Sequence, residues 1–363
     1  MKTKDFDFEK FSDWLAEKEE KTADFLNGKS DTNVLLAESV ESDVVESSYL
    51  TCRTPEESLE CQLDILTNQM KCNNCSSPFL EPWFGVGVFA NAFGAKYIWT
   101  ENESPQTHYI AHSIDDIEKY DIPDIDIAPI MNLVMDTIDY FLNETNGKIP
   151  ISCTDTQSPV DNATLICETS VFFMAMYENP EATHRFLDKI TKTMVAFSKK
   201  QIQLLGETWA RPGHIMASAR GAKGFSVSDD NIVMLSPEHY SEFAVPYNEV
   251  LAREFGGIAI HSCGDYRKQL SALIKTEGLL QVDGAFMKEN IDPCPNTDYQ
   301  LFKETFSKSD VILHARMNEN WAEVFPKLYH PDMRLILQIP TPAPGEPADK
   351  NEKLLEKLMA DFE

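Results

Sequence analysis

The chain has 363 residues, of which 42% are apolar, and a net charge of −27 from 59 acidic and 32 basic side chains. This apolar content is enough for a substantial core, so wholesale disorder is excluded, and the length suits one large α/β barrel. Nucleic acids and anionic membrane surfaces are bound by clustered lysines and arginines. The strongly acidic balance therefore argues against both as partners.

The sequence also indicates a location. No stretch reaches the roughly 18 uninterrupted apolar residues of a spanning helix. Residues 1–5 lead into an acidic amphipathic segment rather than an apolar signal core. We therefore expect a cytoplasmic protein whose eight cysteines are thiols rather than a disulfide framework. Cys72 and Cys75 form a lone CxxC pair, which we interpret as a loop coincidence.

The N-terminal part of the chain, residues 1–56, is predicted to be a helical and irregular extension, and residues 57–363 form the main domain. Apolar residues at helical spacing predict a helix over 5–27. One possible strand follows at 34–36 within an acidic, serine-rich segment. A second helix is predicted from about 55 to 70.

An aromatic segment follows at residues 78–90, where two glycines and two prolines stand among aromatic side chains. This composition predicts a loop or helix start that lines a cavity, with Trp83, Phe84 and Gly85 as candidate pocket residues. A packed aromatic core segment is an equally good interpretation. The two glycines lack the third glycine and the preceding strand of a dinucleotide-binding fingerprint.

From residue 149 onward, apolar strands alternate with helices, which predicts a parallel sheet. Six strands are expected, at 149–153, 214–217, 258–261, 280–283, 311–314 and 335–339. Polar side chains gather at their carboxyl ends: Cys153, Asp155, His261, Cys263, Asp283, His314 and Arg316. A TIM barrel collects its active site on that face. A doubly wound open sheet would do likewise at its switch point, so this pattern leaves both architectures open.

The sharpest chemical signal is the pair His261 and Cys263 at the end of a predicted strand. Alternate residues of a strand point the same way, so both side chains are expected to face one pocket. A thiolate beside an imidazole suits zinc. The alternative interpretation is a small buried cysteine beside a hydrogen-bonded core histidine.

The sequence resembles the uroporphyrinogen decarboxylase family in its broad sense. The resembling stretches are residues 80–87, 154–163, 228–240 and 255–265, and together they cover most of residues 60–345. The resemblance implies a (β/α)8 barrel. The family also contains zinc-dependent corrinoid methyltransferases, which bind zinc through His-x-Cys and a distant third cysteine. His261 and Cys263 match the first two ligands.

The third ligand departs from that pattern, because residues 337–342, where it would be expected, contain no cysteine. Cys153, Cys294 or Asp283 could complete the site, since zinc accepts sulfur, nitrogen and oxygen ligands. The resemblance favours methyl transfer from a corrinoid-bound or small methylated donor to a thiol. The corrinoid would be carried by a partner protein or by the substrate.

The remaining candidate residues surround this site. We expect Asp155, Asp229, Asp230 and Asp283 to orient the substrate or handle protons, although the first three could equally form turns. His314 and Arg316 are candidate pocket residues, and His214 is expected to be structural.

Two other functions compete with methyl transfer. Porphyrinogen decarboxylation needs arginine or lysine clamps for a polycarboxylate. The first hundred residues contain a single arginine, Arg53, and lack the arginine-rich opening of the family's decarboxylases. The other alternative is a non-catalytic barrel that binds a corrinoid protein or a small ligand. Analogy with the family's decarboxylases suggests a homodimer.

Overall fold

The computed structural model describes residues 2–39, 51–101, 103–286 and 296–362. Its strands are β1 (Val34–Ser39), β2 (Tyr97–Ile98), β3 (Gln106–Thr107), β4 (Phe225–Ser228), β5 (Ile258–His261), β6 (Leu279–Ala285), β7 (Ile312–Arg316) and β8 (Leu335–Pro340). Strands β2 and β3 form an antiparallel hairpin. The other six form one parallel sheet in the order β1-β8-β7-β6-β5-β4.

Helices connect these strands. They are α1 (Phe8–Leu26), α2 (Pro55–Gln69), α3 (Val88–Ala92), α4 (Ile114–Ile117), α5 (Pro129–Thr145), α6 (Pro159–Ile166), α7 (Thr169–Glu178), α8 (Pro180–Leu205), α9 (Pro237–Phe243), α10 (Val245–Phe255), α11 (Leu270–Leu273), α12 (Tyr299–Phe306), α13 (Trp321–Leu328) and α14 (Lys350–Met359). Across the described ranges, no helix is both long and apolar enough to cross a membrane.

The start of several helices follows from local sequence. Helices α2, α6, α8 and α9 each begin with a proline in the first turn, where the missing N–H has no helical partner. The preceding residue in each case accepts a hydrogen bond from the third backbone N–H of the helix, as Thr54 does from Glu57. These paired signals explain why the helix start near residue 55 could be predicted.

The gap in the sheet between β1 and β4 is closed by extended chain rather than by regular strands. Isolated parallel bridges join these stretches: Leu80 to Ile151, Ile151 to Trp209, and Gln157 to Ser228. The Glu38 N–H donates to the Asn74 carbonyl at 2.6 Å, which connects β1 to the first stretch. The resulting closed ring is the predicted (β/α)8 barrel.

The strands separate two apolar environments. Side chains such as Val227, Ile260, Val282, Leu313 and Leu337 pack outward in the main core, which also contains the apolar faces of the helices. Inward-facing side chains form a small apolar cluster that fills the barrel: Phe25, Leu35, Ala37, Ala217, Ile312 and Ile336. Because strand residues alternate, the inward positions above this cluster are free to carry polar groups.

Four of the six predicted strands are confirmed as β5 to β8, with ends that differ by one or two residues. The segment 149–153 carries only a bridge at Ile151. The strand predicted at 214–217 is wrong: these residues form a turn in which Ile215 has φ +61° and the Met216 N–H bonds to Gly213. The strand of this region is β4, whose alternating Phe-Ser-Val-Ser sequence was not recognised.

Two further observations concern β1 and the start of α12. The possible strand at 34–36 is confirmed as β1, and it lies within the central sheet although it precedes residue 57. The division of the chain at that residue stays a prediction. Asp298 caps the start of α12 by accepting a hydrogen bond from the Leu301 N–H.

Candidate active site

Polar side chains from neighbouring strands meet inside the barrel. In the sheet register, Ser228 pairs with His261, and Asp283 pairs with His314. The Asp283 carboxylate also contacts the His261 ring directly. Parallel strands in register place side chains of one face at one level, so these four residues form a polar layer above the apolar cluster.

Three potential metal ligands converge at the edge of this layer. The His261 Nε2 atom lies 3.2 Å from the Cys263 Sγ atom. Asp230 lies beside them, and its Oδ1 atom accepts a hydrogen bond from the Cys263 N–H at 2.7 Å. One ligand atom from each residue lies within 4.8 Å of the others. His261 is buried, whereas Cys263 and Asp230 are exposed, so the group opens toward solvent.

Asp230 reaches this position because of the turn that follows β4. The Asp161 carboxylate accepts hydrogen bonds from the backbone N–H groups of Asp230 at 2.6 Å and Asn231 at 2.9 Å. Asp161 lies in the first turn of α6 and is buried. Burial and the charges of Asp229 and Asp230 raise the pKa of Asp161 well above its ordinary value. Sequence reasoning missed this supporting residue.

Asp283 orients the His261 ring from behind. It contacts the His261 Nδ1 atom, which leaves Nε2 facing Cys263. The Arg316 Nε atom lies 3.1 Å from both carboxylate oxygens of Asp283. Burial alone would raise the pKa of Asp283, but the charges of Arg316 and His261 outweigh it and lower the pKa. Burial alone would lower the pKa of His261, but the nearby Asp283 carboxylate raises it to about 10.

His314 extends the polar layer toward β8. Its Nε2 atom lies 2.8 Å from the Gln338 Oε1 atom. Its Nδ1 atom is buried and has no hydrogen-bond partner within the described chain. Burial lowers the pKa of His314 and so favours the neutral imidazole. An Nε2 proton donated to Gln338 leaves Nδ1 as an acceptor.

On the other side of β4 from His261, Asp155 is held by three donors. Its carboxylate accepts hydrogen bonds from Trp83 Nε1 at 3.3 Å, Gln157 Nε2 at 3.1 Å and Ser228 Oγ at 3.2 Å. Ser228 is the register neighbour of His261. Asp155 is therefore connected to the metal-ligand group through one strand residue, as expected for a site at the barrel mouth.

A buried histidine joins Asp155 to a second carboxylate. The His214 Nδ1 atom lies 2.8 Å from Glu81 Oε1, and its Nε2 atom lies 3.6 Å from Asp155 Oδ2. Burial would lower the pKa of His214, but the two carboxylates outweigh it and raise the pKa to about 9. Sequence reasoning missed Glu81 and considered His214 structural. The signal available was Glu81 next to Trp83 in the aromatic segment.

Asp229 lies beneath the site rather than in it. Its fully buried carboxylate accepts hydrogen bonds from Ser158 Oγ at 3.1 Å and Tyr240 Oη at 3.0 Å. These contacts connect the starts of α6 and α9 to the end of β4. Burial raises the pKa of Asp229 to about 6. Asp229 thus helps to position α6 and α9 against β4. Its catalytic function stays a prediction.

Several other candidates lie away from the metal-ligand group. Cys153 is buried in the main outer core, because strand alternation turns it away from the barrel interior. The group assembled in the described ranges contains Asp230 in place of Cys153. Phe84 is fully buried and packs edge-on against Trp99, and Gly85 lies against Tyr97. Cys294 lies outside the described residues.

Two cavities lie near the end of β1. The smaller, of about 250 Å³, lies between β1, β8 and α2, and its lining includes His314, Gln338 and Glu81. The larger is a groove of about 900 Å³ on the far side of Glu38, lined by the 340–346 loop and by Trp321. Only the smaller cavity is lined by a residue of the polar layer. We therefore consider it the candidate substrate pocket.

A closed ring of parallel strands with a polar site at the carboxyl ends defines a (β/α)8-barrel protein. The profile of the family described as "Uroporphyrinogen decarboxylase (URO-D)" matches residues 51–210. A uroporphyrinogen decarboxylase from Pseudomonas fluorescens (strain SBW25) is 28% identical over 165 residues, which are 43% of this chain and 41% of that protein. The chain thus spans less than half the length of that relative.

Methyltransferases are also among the similar proteins. A methylated-thiol–coenzyme M methyltransferase from Methanosarcina mazei is 27% identical over 207 residues, 56% of this chain and 52% of that protein. A solved structure of a methyltransferase from Methanosarcina mazei superimposes with a TM-score of 0.64 over 95% of this chain and 99% of that one, at 13% identity. That likeness confirms the fold. Residues 51–210 of the chain thus resemble the uroporphyrinogen decarboxylase family, and the similar proteins include enzymes of both kinds.

Proposed function

We propose that this protein is a methyltransferase that moves a methyl group from a corrinoid-bound or small methylated donor to a thiol, with zinc held by His261, Cys263 and Asp230. One observation carries the proposal: an imidazole nitrogen, a thiol sulfur and a carboxylate converge at the carboxyl ends of the strands. The similarity to a methylated-thiol–coenzyme M methyltransferase supports the same reaction class.

The donor set fits zinc. Zinc binds sulfur at about 2.3 Å and imidazole nitrogen at about 2.0–2.1 Å in a tetrahedral arrangement, which separates the two ligand atoms by about 3.6 Å. The His261 Nε2 and Cys263 Sγ atoms are 3.2 Å apart, so a small outward movement of the exposed thiol is enough. A set of three protein ligands leaves the fourth tetrahedral position for a substrate.

The chain's own residues prepare this site. Asp283 contacts Nδ1 of His261 and so directs Nε2 toward the ion, as carboxylates commonly do for zinc-binding histidines. Arg316 compensates the buried charge of Asp283. When bound, zinc would act as a Lewis acid that lowers the pKa of a thiol substrate. His214, held by Glu81 and Asp155, would retain a proton at neutral pH.

Metal analysis tests the proposal directly. We expect near-stoichiometric zinc in the purified protein, and its loss in His261→Ala, Cys263→Ser and Asp230→Asn. Cys153→Ser is the matched control, because that thiol packs in the outer core, and it should retain zinc. The absence of bound zinc in the wild type, or its retention in all three ligand variants, would contradict the site.

A methyl-transfer assay tests the reaction. With methylcobalamin as donor and a small thiol as acceptor, we expect methyl transfer by the wild type and its loss in Cys263→Ser. Spectral loss of methylcobalamin and appearance of the methylated thiol are the measurements. No transfer by the zinc-loaded protein to any of several thiols would remove this function.

Decarboxylation of a porphyrinogen is the second candidate, favoured by the family profile and by the decarboxylases among the relatives. Incubation with uroporphyrinogen and analysis for coproporphyrinogen tests it. Formation of coproporphyrinogen would favour decarboxylation over methyl transfer. Failure of both assays, with a corrinoid protein still bound in a pull-down, would support the non-catalytic barrel.

A further inference from the structure

A short 3-10 helix, Asp230–Met234, follows β4 and carries the proposed metal ligand Asp230 at its start. In a 3-10 helix, side chains three residues apart lie on the same side, about 6 Å from each other along the axis. Val233 therefore projects in the same direction as Asp230. Because the Asp230 carboxylate reaches the Cys263 N–H, this geometry predicts that Val233 lies against the chain next to Cys263.

A contact between Val233 and Gly264 confirms this direction. A Cβ atom placed on Gly264 would lie 2.4 Å from the Val233 Cγ1 atom, a separation that real Cβ contacts essentially never show. Glycine at this position thus allows the valine methyl group to pack directly against the backbone beside Cys263. Val233 is nevertheless 37% exposed, so part of its apolar surface remains free next to the metal-ligand group.

The metal-ligand group opens on the side of its exposed members. His261 is buried, whereas Asp230 and Cys263 are exposed. An ion held by these three ligands would direct its fourth tetrahedral position away from His261 and toward solvent. A substrate sulfur that reaches this position therefore approaches from the side on which Val233 lies.

The two segments that meet at this opening offer little positive charge. Residues 224–252, which include the whole 3-10 helix, contain no lysine or arginine. Arg267 is the first basic residue after Cys263, and its Nε atom lies 2.9 Å from the Asp265 carboxylate. An anionic substituent on the substrate would meet the Asp230 carboxylate and gain no counter-ion from residues 224–252. An apolar substituent would instead find the exposed surface of the valine.

We propose that Val233 determines the specificity for the thiol substrate, by packing against an apolar substituent next to the reacting sulfur. Thiols with a short alkyl group then bind more tightly than thiols of similar length that end in a hydroxyl or a carboxylate. This inference rests on the proposed zinc site and methyl transfer. It adds the class of thiol, which is small, uncharged and apolar.

Thiol binding to the zinc-loaded protein tests the inference without any assay of methyl transfer. Isothermal titration calorimetry on the full chain compares 1-propanethiol, 2-mercaptoethanol and 3-mercaptopropionate, which have similar lengths. We expect 1-propanethiol to bind about fourfold more tightly than 2-mercaptoethanol, the effect of burying about one methylene group. The weakest ligand should be 3-mercaptopropionate.

The variant Val233→Thr exchanges one methyl group for a hydroxyl and keeps the branched shape of the side chain. It should retain zinc, weaken the binding of 1-propanethiol by about three- to fivefold and change that of 2-mercaptoethanol by less than about twofold. Because each thiol is compared between two proteins, differences in thiol acidity cancel. Ile127→Thr is the matched control and should change neither affinity, since Ile127 is an exposed residue that lines a separate surface cavity.

Equal binding of the three thiols to the wild type would overturn the inference. Equal losses for all three in Val233→Thr would overturn it as well, because a merely structural effect weakens every thiol alike. If the wild type binds no zinc, the proposed function and this inference fail together. If it binds zinc and transfers methyl groups without preferring 1-propanethiol, only this inference fails.

Discussion

Replacing Asp283 by asparagine tests the centre of the polar layer. The carboxylate is fully buried, contacts His261, and lies 3.1 Å from the Arg316 Nε atom. Breaking a buried ion pair on one side costs about 3–5 kcal/mol, because the partner charge is left without compensation. The Arg316 side chain is 21% exposed, which allows water to solvate part of its charge and places the cost at the lower end. Asparagine also retains one acceptor oxygen, worth about 1 kcal/mol.

We therefore expect Asp283→Asn to lower the free energy of unfolding by about 2–3 kcal/mol at pH 7. Urea unfolding followed by circular dichroism and extrapolated to zero urea measures it. The same variant should weaken zinc binding by about 10–100-fold, because the His261 ring loses its orienting carboxylate. Asp136→Asn on the exposed side of α5 is the control, with an expected change within about 0.5 kcal/mol. An Asp283→Asn protein as stable as that control would refute the electrostatic account.

Three further predictions concern single residues. The pKa of His214 is raised to about 9. The stabilisation that comes from protonated His214 should therefore be complete below about pH 6.5 and lost progressively as the pH rises to about 9. In unfolding experiments at several pH values, His214→Gln should remove this part of the pH dependence. In urea unfolding, Gly257→Ala should lower the stability of the protein by about 1–3 kcal/mol more than Gly94→Ala does. Both glycines have positive φ, but a Cβ at Gly257 would lie 2.3 Å from the Leu280 side chain, whereas a Cβ at Gly94 would have no neighbour within 4 Å. Tyr240→Phe should cost about 1–3 kcal/mol by the same method, because it removes the hydroxyl that donates to a buried carboxylate at 3.0 Å; a change below about 0.5 kcal/mol would contradict that contact's importance.

Much of the fold could be predicted because apolar runs mark buried strands. The segments that became β5 to β8 are flanked by glycine, proline or capping residues, and both their faces are buried. The region before β4 was misinterpreted for a physical reason. Its inward residues, Ser226 and Ser228, are polar because they face the site, so β4 resembles a loop in composition. The apolar run at 214–217 is held in a turn by its surroundings instead.

The same error explains what was missed in the site. The His261 and Cys263 positions follow from strand alternation alone, and their side chains do converge. The position of Asp230 depends on β4 and on a hydrogen bond from its N–H to Asp161, a residue that is distant in sequence. His214 and Glu81 are 133 residues apart in sequence and are brought together by the fold, which no local pattern encodes. Site residues that are neighbours in sequence could therefore be predicted. Residues that come together only when the barrel closes could not.

The shared barrel does not by itself select between methyl transfer and decarboxylation, because relatives of both kinds match the chain. The charges around the pocket support the proposed methyl transfer. A polycarboxylate would need positive groups facing it, yet Arg316 lies against Asp283, and no lysine or arginine of the described residues lines the cavity. Turning Arg316 toward such a substrate would leave Asp283 buried without its main counter-charge. A neutral methylated substrate requires no such rearrangement, which supports the proposed methyl transfer.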